Sequence, residues 1–224
     1  MECRRLPIIR NMFAVLWVAL LSAGLLGLAS EPISIASPDG RVEFRLAPDL
    51  QKRLEYSVVF RGKPVIENSS LGITVDGINL AEGVEIGQIN RYQRKETSPR
   101  YGVHSTASDH CNGATIALTH AQSRAGYTLE VRAYNDGIAF RHIVPGTGTR
   151  VPDEATVFRL PARSTVWYHD LEDHYEGLHA RKGVAAIPAG AWAAPPVTFR
   201  LADGAGYASI TEGALTHYSG MVLQ

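Results

Sequence analysis

The stretch from Val166 to Gly183, VWYHDLEDHYEGLHARKG, concentrates the side chains that could do chemistry. It holds His169, His174 and His179, the acids Asp170, Glu172, Asp173 and Glu176, and the aromatics Trp167, Tyr168 and Tyr175. A catalytic zinc site wants closely spaced histidines, such as a pair at i and i+4 on a helix. These histidines recur every five residues, which puts neighbours on opposite faces of a strand and apart on a helix. Spacing therefore argues against zinc and leaves loop or surface histidines as the simpler reading. The acids admit two roles beyond a solvated loop. Glycoside hydrolysis uses a pair of carboxylates, one to protonate the leaving oxygen and one as base or nucleophile. Calcium is physically easier, since it gathers loop carboxylates among its oxygen ligands.

Other chemistries leave no mark. No Gly-x-Ser-x-Gly elbow occurs, and Cys111 has no neighbours that suggest an activated thiolate, so it reads as a packed small side chain. Asn68-Ser69-Ser70 matches a glycosylation sequon too short to be specific. Gly-rich phosphate cradles are missing. Trp167, Tyr168 and Trp192 could stack on sugar rings, although Trp167, inside an alternating strand, reads first as sandwich core.

The elements that must position these groups are strands. Ser37-Pro38-Asp39-Gly40 is a turn by its chemistry, after which Val42, Phe44 and Leu46 alternate with Glu43 and Arg45. Leu54 to Phe60 and Leu71 to Val75 repeat the pattern, and Thr115 to Thr119 reads as a short strand. Tyr127 to Val144 is the clearest hairpin, turning at Asn135-Asp136-Gly137, with Arg132 and Arg141 flanking it. Thr156–Leu160, Thr165–Tyr168, Val197–Leu201 and Tyr207–Thr211 complete the set, and helical periodicity is nearly absent. Many short strands with frequent turn signals predict an all-β fold, two large antiparallel sheets packed face to face.

Residues 1–30 read as a secretory signal peptide: Arg4, Arg5 and Arg10 precede an apolar run from Met12 to Leu28, with small residues at its exit. The competing reading is an uncleaved membrane anchor. Export to the periplasm or the extracellular space would leave Cys111 as the sole cysteine, so no internal disulfide could hold the fold. The formal charge of zero becomes −2 once that segment is removed, with 19 basic against 21 acidic residues, and nothing points to nucleic acid. Residues 31–224 then form one domain.

Several stretches together resemble the N-terminal domain of glycoside hydrolase family 97, a family of exo-acting α-glucosidases and α-galactosidases. They are Ser37-Pro38-Asp39-Gly40, Gly62 to Ile66 with Leu71-Gly72, Arg132 to Arg141 (RAYNDGIAFR), Tyr175-Glu176-Gly177, and Pro196 to Gln224. The resemblance implies a β-super-sandwich of the galactose mutarotase-like kind, an α-linked oligosaccharide as ligand, and a (β/α)8 barrel that follows in the same chain and carries the catalytic carboxylates. That barrel is not encoded in these residues, so the chain reads as a fragment that does not hydrolyse glycosides alone. The resemblance also implies a calcium ion shared with the barrel, to which the glutamate of Tyr-Glu-Gly, here Glu176, is the domain's ligand. Glu212, in Ser-Ile-Thr-Glu-Gly, either faces the sugar or braces the domain junction, and Trp167 is a candidate sugar contact. Two rivals are a stand-alone carbohydrate-binding protein and a mutarotase-type epimerase, the latter with Glu212 as base and His142 or His217 as acid. A third reading is a non-functional remnant.

Overall fold

The computed structural model describes residues 31–171, 177–213 and 218–224. Residues 1–30, Glu176 and His217 lie outside the described residues, and with them the signal, the calcium ligand and one epimerase acid. Among the described residues, no helix is long and apolar enough to cross a membrane.

The first sheet is β1 (Ile33–Ala36), β2 (Val42–Pro48), β3 (Leu54–Phe60) and β4 (Lys63–Ser70), antiparallel and in that order. Its first turn forms as its chemistry predicts. Asp39 accepts hydrogen bonds from the Ser37 hydroxyl (2.7 Å) and the Arg41 N–H (3.0 Å), while Gly40 takes φ +70°, which a side chain would oppose. From this turn the Asp39 N–H donates to Asn135 across the molecule, tying it to the second sheet's hairpin. The alternation sends Val42, Phe44 and Leu46 inward.

After β5 (Ile73–Val75) and β6 (Ile78–Asn79) comes the second large sheet. It consists of β7 (Val84–Pro99), β8 (Thr106–His120), β9 (Gly126–Tyr134) and β10 (Gly137–Ile143), in the order β10-β9-β8-β7. The hairpin at Asn135-Asp136 is as expected, with Tyr134 opposite Gly137. The long β7–β8 ribbon was legible only at Thr115–Thr119. Its outer half is polar on both faces, so mutual backbone pairing, rather than an apolar stripe, defines it.

A third, small sheet sets β11 (Asp153–Glu154) beside β5 and β6. The fourth is β12 (Thr165–His169), β13 (Ala180–Gly183), β14 (Ala194–Arg200) and β15 (Tyr207–Ile210), in the order β13-β12-β14-β15. The stretch expected as a strand at Thr156–Leu160 runs extended outside any ladder. Its backbone bonds follow the end of β4, Val157 N–H to Ser70 and Arg159 C=O from Glu67, both at 2.9 Å. The last residues make an isolated bridge, Leu223 to Ala193.

The expected all-β antiparallel sandwich is thus borne out, its walls divided among four sheets around one core. Phe44 stacks on Tyr56 (centroids 5.6 Å apart), and Phe140 meets both rings from the opposing sheet. Leu129, Val131, Val166 and Phe199 extend the same core toward the fourth sheet. Each such fully buried side chain contributes about 1.5–3 kcal/mol. The buried phenols are satisfied: Tyr56 donates to Val157 C=O (2.9 Å) and Tyr127 to Leu80 C=O (2.8 Å).

Candidate functional site

The connection from β12 to β13 is built on His169. Its ring is buried, and its Nδ1 accepts the Leu171 N–H at 3.1 Å. Leu171 itself takes φ +63°, a left-handed conformation that turns the chain sharply away from the strand. On the returning side Gly177 lies directly against the same imidazole, so closely that a Cβ there would overlap His169 Nε2. His179 then meets His169 edge-on, with ring centroids 6.2 Å apart. Both described ends of the segment bearing Glu172, Asp173 and Glu176 are therefore fixed to one side chain. Spacing alone gave His169 as a loop or surface histidine; it is instead buried next to Tyr168 at the end of β12, where the register with β14 shifts between Trp167 and His169 and the alternation breaks. No three His, Cys, Asp or Glu side chains gather as a metal site among the described residues.

Trp167 is not core, contrary to the reading from alternation. Val166 and Tyr168 occupy the inward face of β12, so the intervening residue must point out. There its ring lies 5.6 Å beneath the Arg181 guanidinium and 6.0 Å from the ring of Tyr207. Alternation had the right period but the wrong phase. Trp192 is half exposed.

Glu212 follows β15 and receives the Met221 N–H on Oε2, while Oε1 faces Gly220. Its carboxylate thereby holds the last described segment, which Leu223 stitches to Ala193 through two backbone bonds. Glu154 of β11 is close enough to feel that charge. Desolvation first, then repulsion from Glu212, push the Glu154 carboxyl up, and the Tyr218 phenol rises by desolvation and by the charge of Glu154. Sequence gave no sign that β11 would approach Glu212.

His142 does not join them as an acid. Both ring nitrogens are buried with no hydrogen-bond partner, beside Tyr127, and desolvation lowers its pKa to about 4. The ring is therefore neutral near neutral pH and has no proton to spare as histidinium. The arginines of RAYNDGIAFR do more than flank their hairpin. Arg132 (3.0 Å) and Arg141 (2.7 Å) both pair with the buried Glu130, which also accepts the Tyr92 hydroxyl at 2.7 Å. Burial alone would raise this carboxyl, but those donors hold it down at about 2. Tyr92 reaches it by lying across Gly113, where any side chain would collide with the ring.

The chain folds as an all-β antiparallel sandwich in which RAYNDGIAFR forms the β9–β10 hairpin. Its sequence matches the family described as glycosyl-hydrolase 97 N-terminal over residues 35–224, and the chain belongs to that family. Two curated relatives are similar. One is a probable retaining alpha-galactosidase of Streptomyces bingchenggensis, 28% identical over 139 residues, covering 59% of this chain and 21% of the relative. The other is a retaining alpha-galactosidase of Bacteroides thetaiotaomicron, 29% identical over 141 residues, covering 61% of this chain and 20% of the relative. The chain thus spans about a fifth of the length of the curated relatives it matches. Among solved structures, a glycoside hydrolase family 97 enzyme of Pseudoalteromonas sp. strain K8, in complexes with panose and with acarbose, superposes with a TM-score of 0.76. It is 24% identical, and the match covers 85% of this chain and 30% of that one. A beta-arabinopyranosidase matches with a TM-score of 0.66 at 18% identity, over 75% of this chain and 30% of that one.

Proposed function

We propose that this chain is the domain that completes the sugar pocket of an exported, calcium-dependent α-glycosidase acting on an α-linked oligosaccharide. The reacting carboxylates would stand on the (β/α)8 barrel of the larger enzyme, and the domain alone would be non-catalytic. The observation that carries this reading is the clamp on His169: Leu171 and Gly177 fix both ends of the segment that contains Glu176. Flanks held so closely suit a carboxylate offered to a neighbouring domain.

The donor chemistry fits calcium. Glu176 is a hard, anionic oxygen donor, and Ca²⁺ gathers about 6–8 oxygens, so one carboxylate from this chain leaves most of the shell to the partner domain. Bound there, the ion would supply positive charge beside the sugar oxygens. Glu212, engaged with the Met221 N–H, braces the end of the domain rather than acting as a free base. The two curated relatives, both named alpha-galactosidases, favour an α-galactoside over an α-glucoside.

The test has two arms. The chain by itself, assayed on nitrophenyl α-galactoside and α-glucoside, is expected to give no turnover; clear hydrolysis would refute the division of labour. In the product of the full reading frame that contains this chain, Glu176→Gln is expected to weaken calcium binding by calorimetric titration. An unchanged calcium affinity would refute the assignment of the ligand.

A further inference from the structure

On the fourth sheet, the face turned away from the core carries a row of side chains that neither the clamp nor the core uses. Arg181 of β13, Trp167 of β12, Thr198 of β14 and Ser209 of β15 stand side by side across the strands. Tyr207, one rung along and paired with Arg200, leans back so that its ring lies 6.0 Å from that of Trp167, tilted by 43°. Tyr207 is 68% exposed, so its ring is open to a ligand.

We propose that this face is a glycan-stacking platform, with Trp167 and Tyr207 as the stacking surface for successive units of an oligosaccharide. Sugar rings present apolar C–H faces that suit an aromatic plane, and hydroxyl rims that need donors and acceptors. The rim is supplied. Thr198 Oγ1 and Ser209 Oγ lie 2.8 Å apart, and each retains hydrogen-bonding capacity toward a ligand hydroxyl. Arg181 covers part of the indole, fixing its tilt and offering further N–H donors.

The neighbours of the two rings are threonine, serine, glycine and arginine, so the face surrounds them with hydroxyls and N–H donors rather than with further apolar area. No carboxylate stands in these two rungs, so the platform does not select a cationic ligand. The choice of saccharide as ligand class rests on the function proposed above; the location rests on the sheet register alone.

The experiment is calorimetric titration of the purified chain with panose and, separately, with raffinose, for wild type, Tyr207→Ala and Tyr207→Phe. Loss of one stacking ring is expected to weaken binding about tenfold in Tyr207→Ala, while Tyr207→Phe stays within about twofold. Because Tyr207 is exposed, both variants should melt with the wild type, so a loss of binding reports the contact and not the fold. Absence of saccharide binding, or equal binding by Tyr207→Ala, would overturn the platform. So would a Tyr207→Ala variant that binds saccharide normally but no longer associates with the rest of the enzyme, which would make the face a domain interface. The calcium titration of Glu176→Gln separates the two ideas. A platform that fails while that variant loses calcium leaves the functional reading standing, and the reverse outcome leaves only the platform.

Discussion

Replacing Glu130 by glutamine tests the electrostatics of the second sheet most sharply, because the substitution imitates the protonated carboxyl without altering its shape. In the folded protein the Glu130 pKa falls from an ordinary 4.5 to about 2, against the opposing effect of burial. At ~1.4 kcal/mol per unit this corresponds to about 3 kcal/mol. Arg141 is 67% exposed, and solvent screens its share, so about 2–3 kcal/mol is the expected loss. The sign follows from linkage. A depressed carboxylate stabilises the fold fully above its unfolded value near 4.5, and that stabilisation fades as pH falls through the folded value near 2. Urea unfolding at neutral pH should therefore show Glu130→Gln less stable, with a melting temperature lower by about 2–4 °C for each kcal/mol lost. Between pH 4.5 and 2 the difference from wild type should shrink toward zero. A neutral-pH difference below ~1 kcal/mol, or one that does not change across that window, would show that the two arginines do not act through this carboxylate.

His142 should behave in the opposite region of pH. Its pKa, lowered to about 4 from 6.5, makes stability fall as the pH drops from 6.5 through 4, because the unfolded ring takes up the proton first. His142→Phe is expected to remove that slope and, by deleting two unpartnered buried nitrogens, to stabilise by about 1 kcal/mol in urea at neutral pH. Gly177→Ala should destabilise by about 1–3 kcal/mol, since its Cβ must displace the His169 ring, and should weaken calcium binding in the full enzyme along with Glu176→Gln; native-like stability with unchanged calcium affinity would contradict the clamp. Cys111 is fully buried with its thiol pushed up by desolvation, so a thiol reagent should label it only upon unfolding; rapid labelling of the native chain would refute its burial.

What the sequence determined by itself was local and periodic. Alternation at Val42–Leu46 and Tyr127–Ala133, and the turn chemistry of Asp39-Gly40 and Asn135-Asp136, are dictated within a few residues, and each stands in the structure as read. Family membership was also legible, because RAYNDGIAFR and the stretch from Pro196 are long strings, specific without any contact being known. The polar ribbon of β7 and β8 was not legible, since its strands are held by each other's backbones and carry no apolar stripe to betray them. Tertiary structure alone decided the phase of β12. Nothing local distinguishes a strand with Val166 and Tyr168 inward from one with Trp167 inward; only packing against Phe199 and the rest of the core makes the choice. That choice turns Trp167 toward Tyr207, a pair forty residues apart over which sequence carries no distance information. Likewise the arginines at 132 and 141 were visible as a pair; Glu130 stands two residues before Arg132 on the same strand, and the strand pairing sets it directly opposite Arg141.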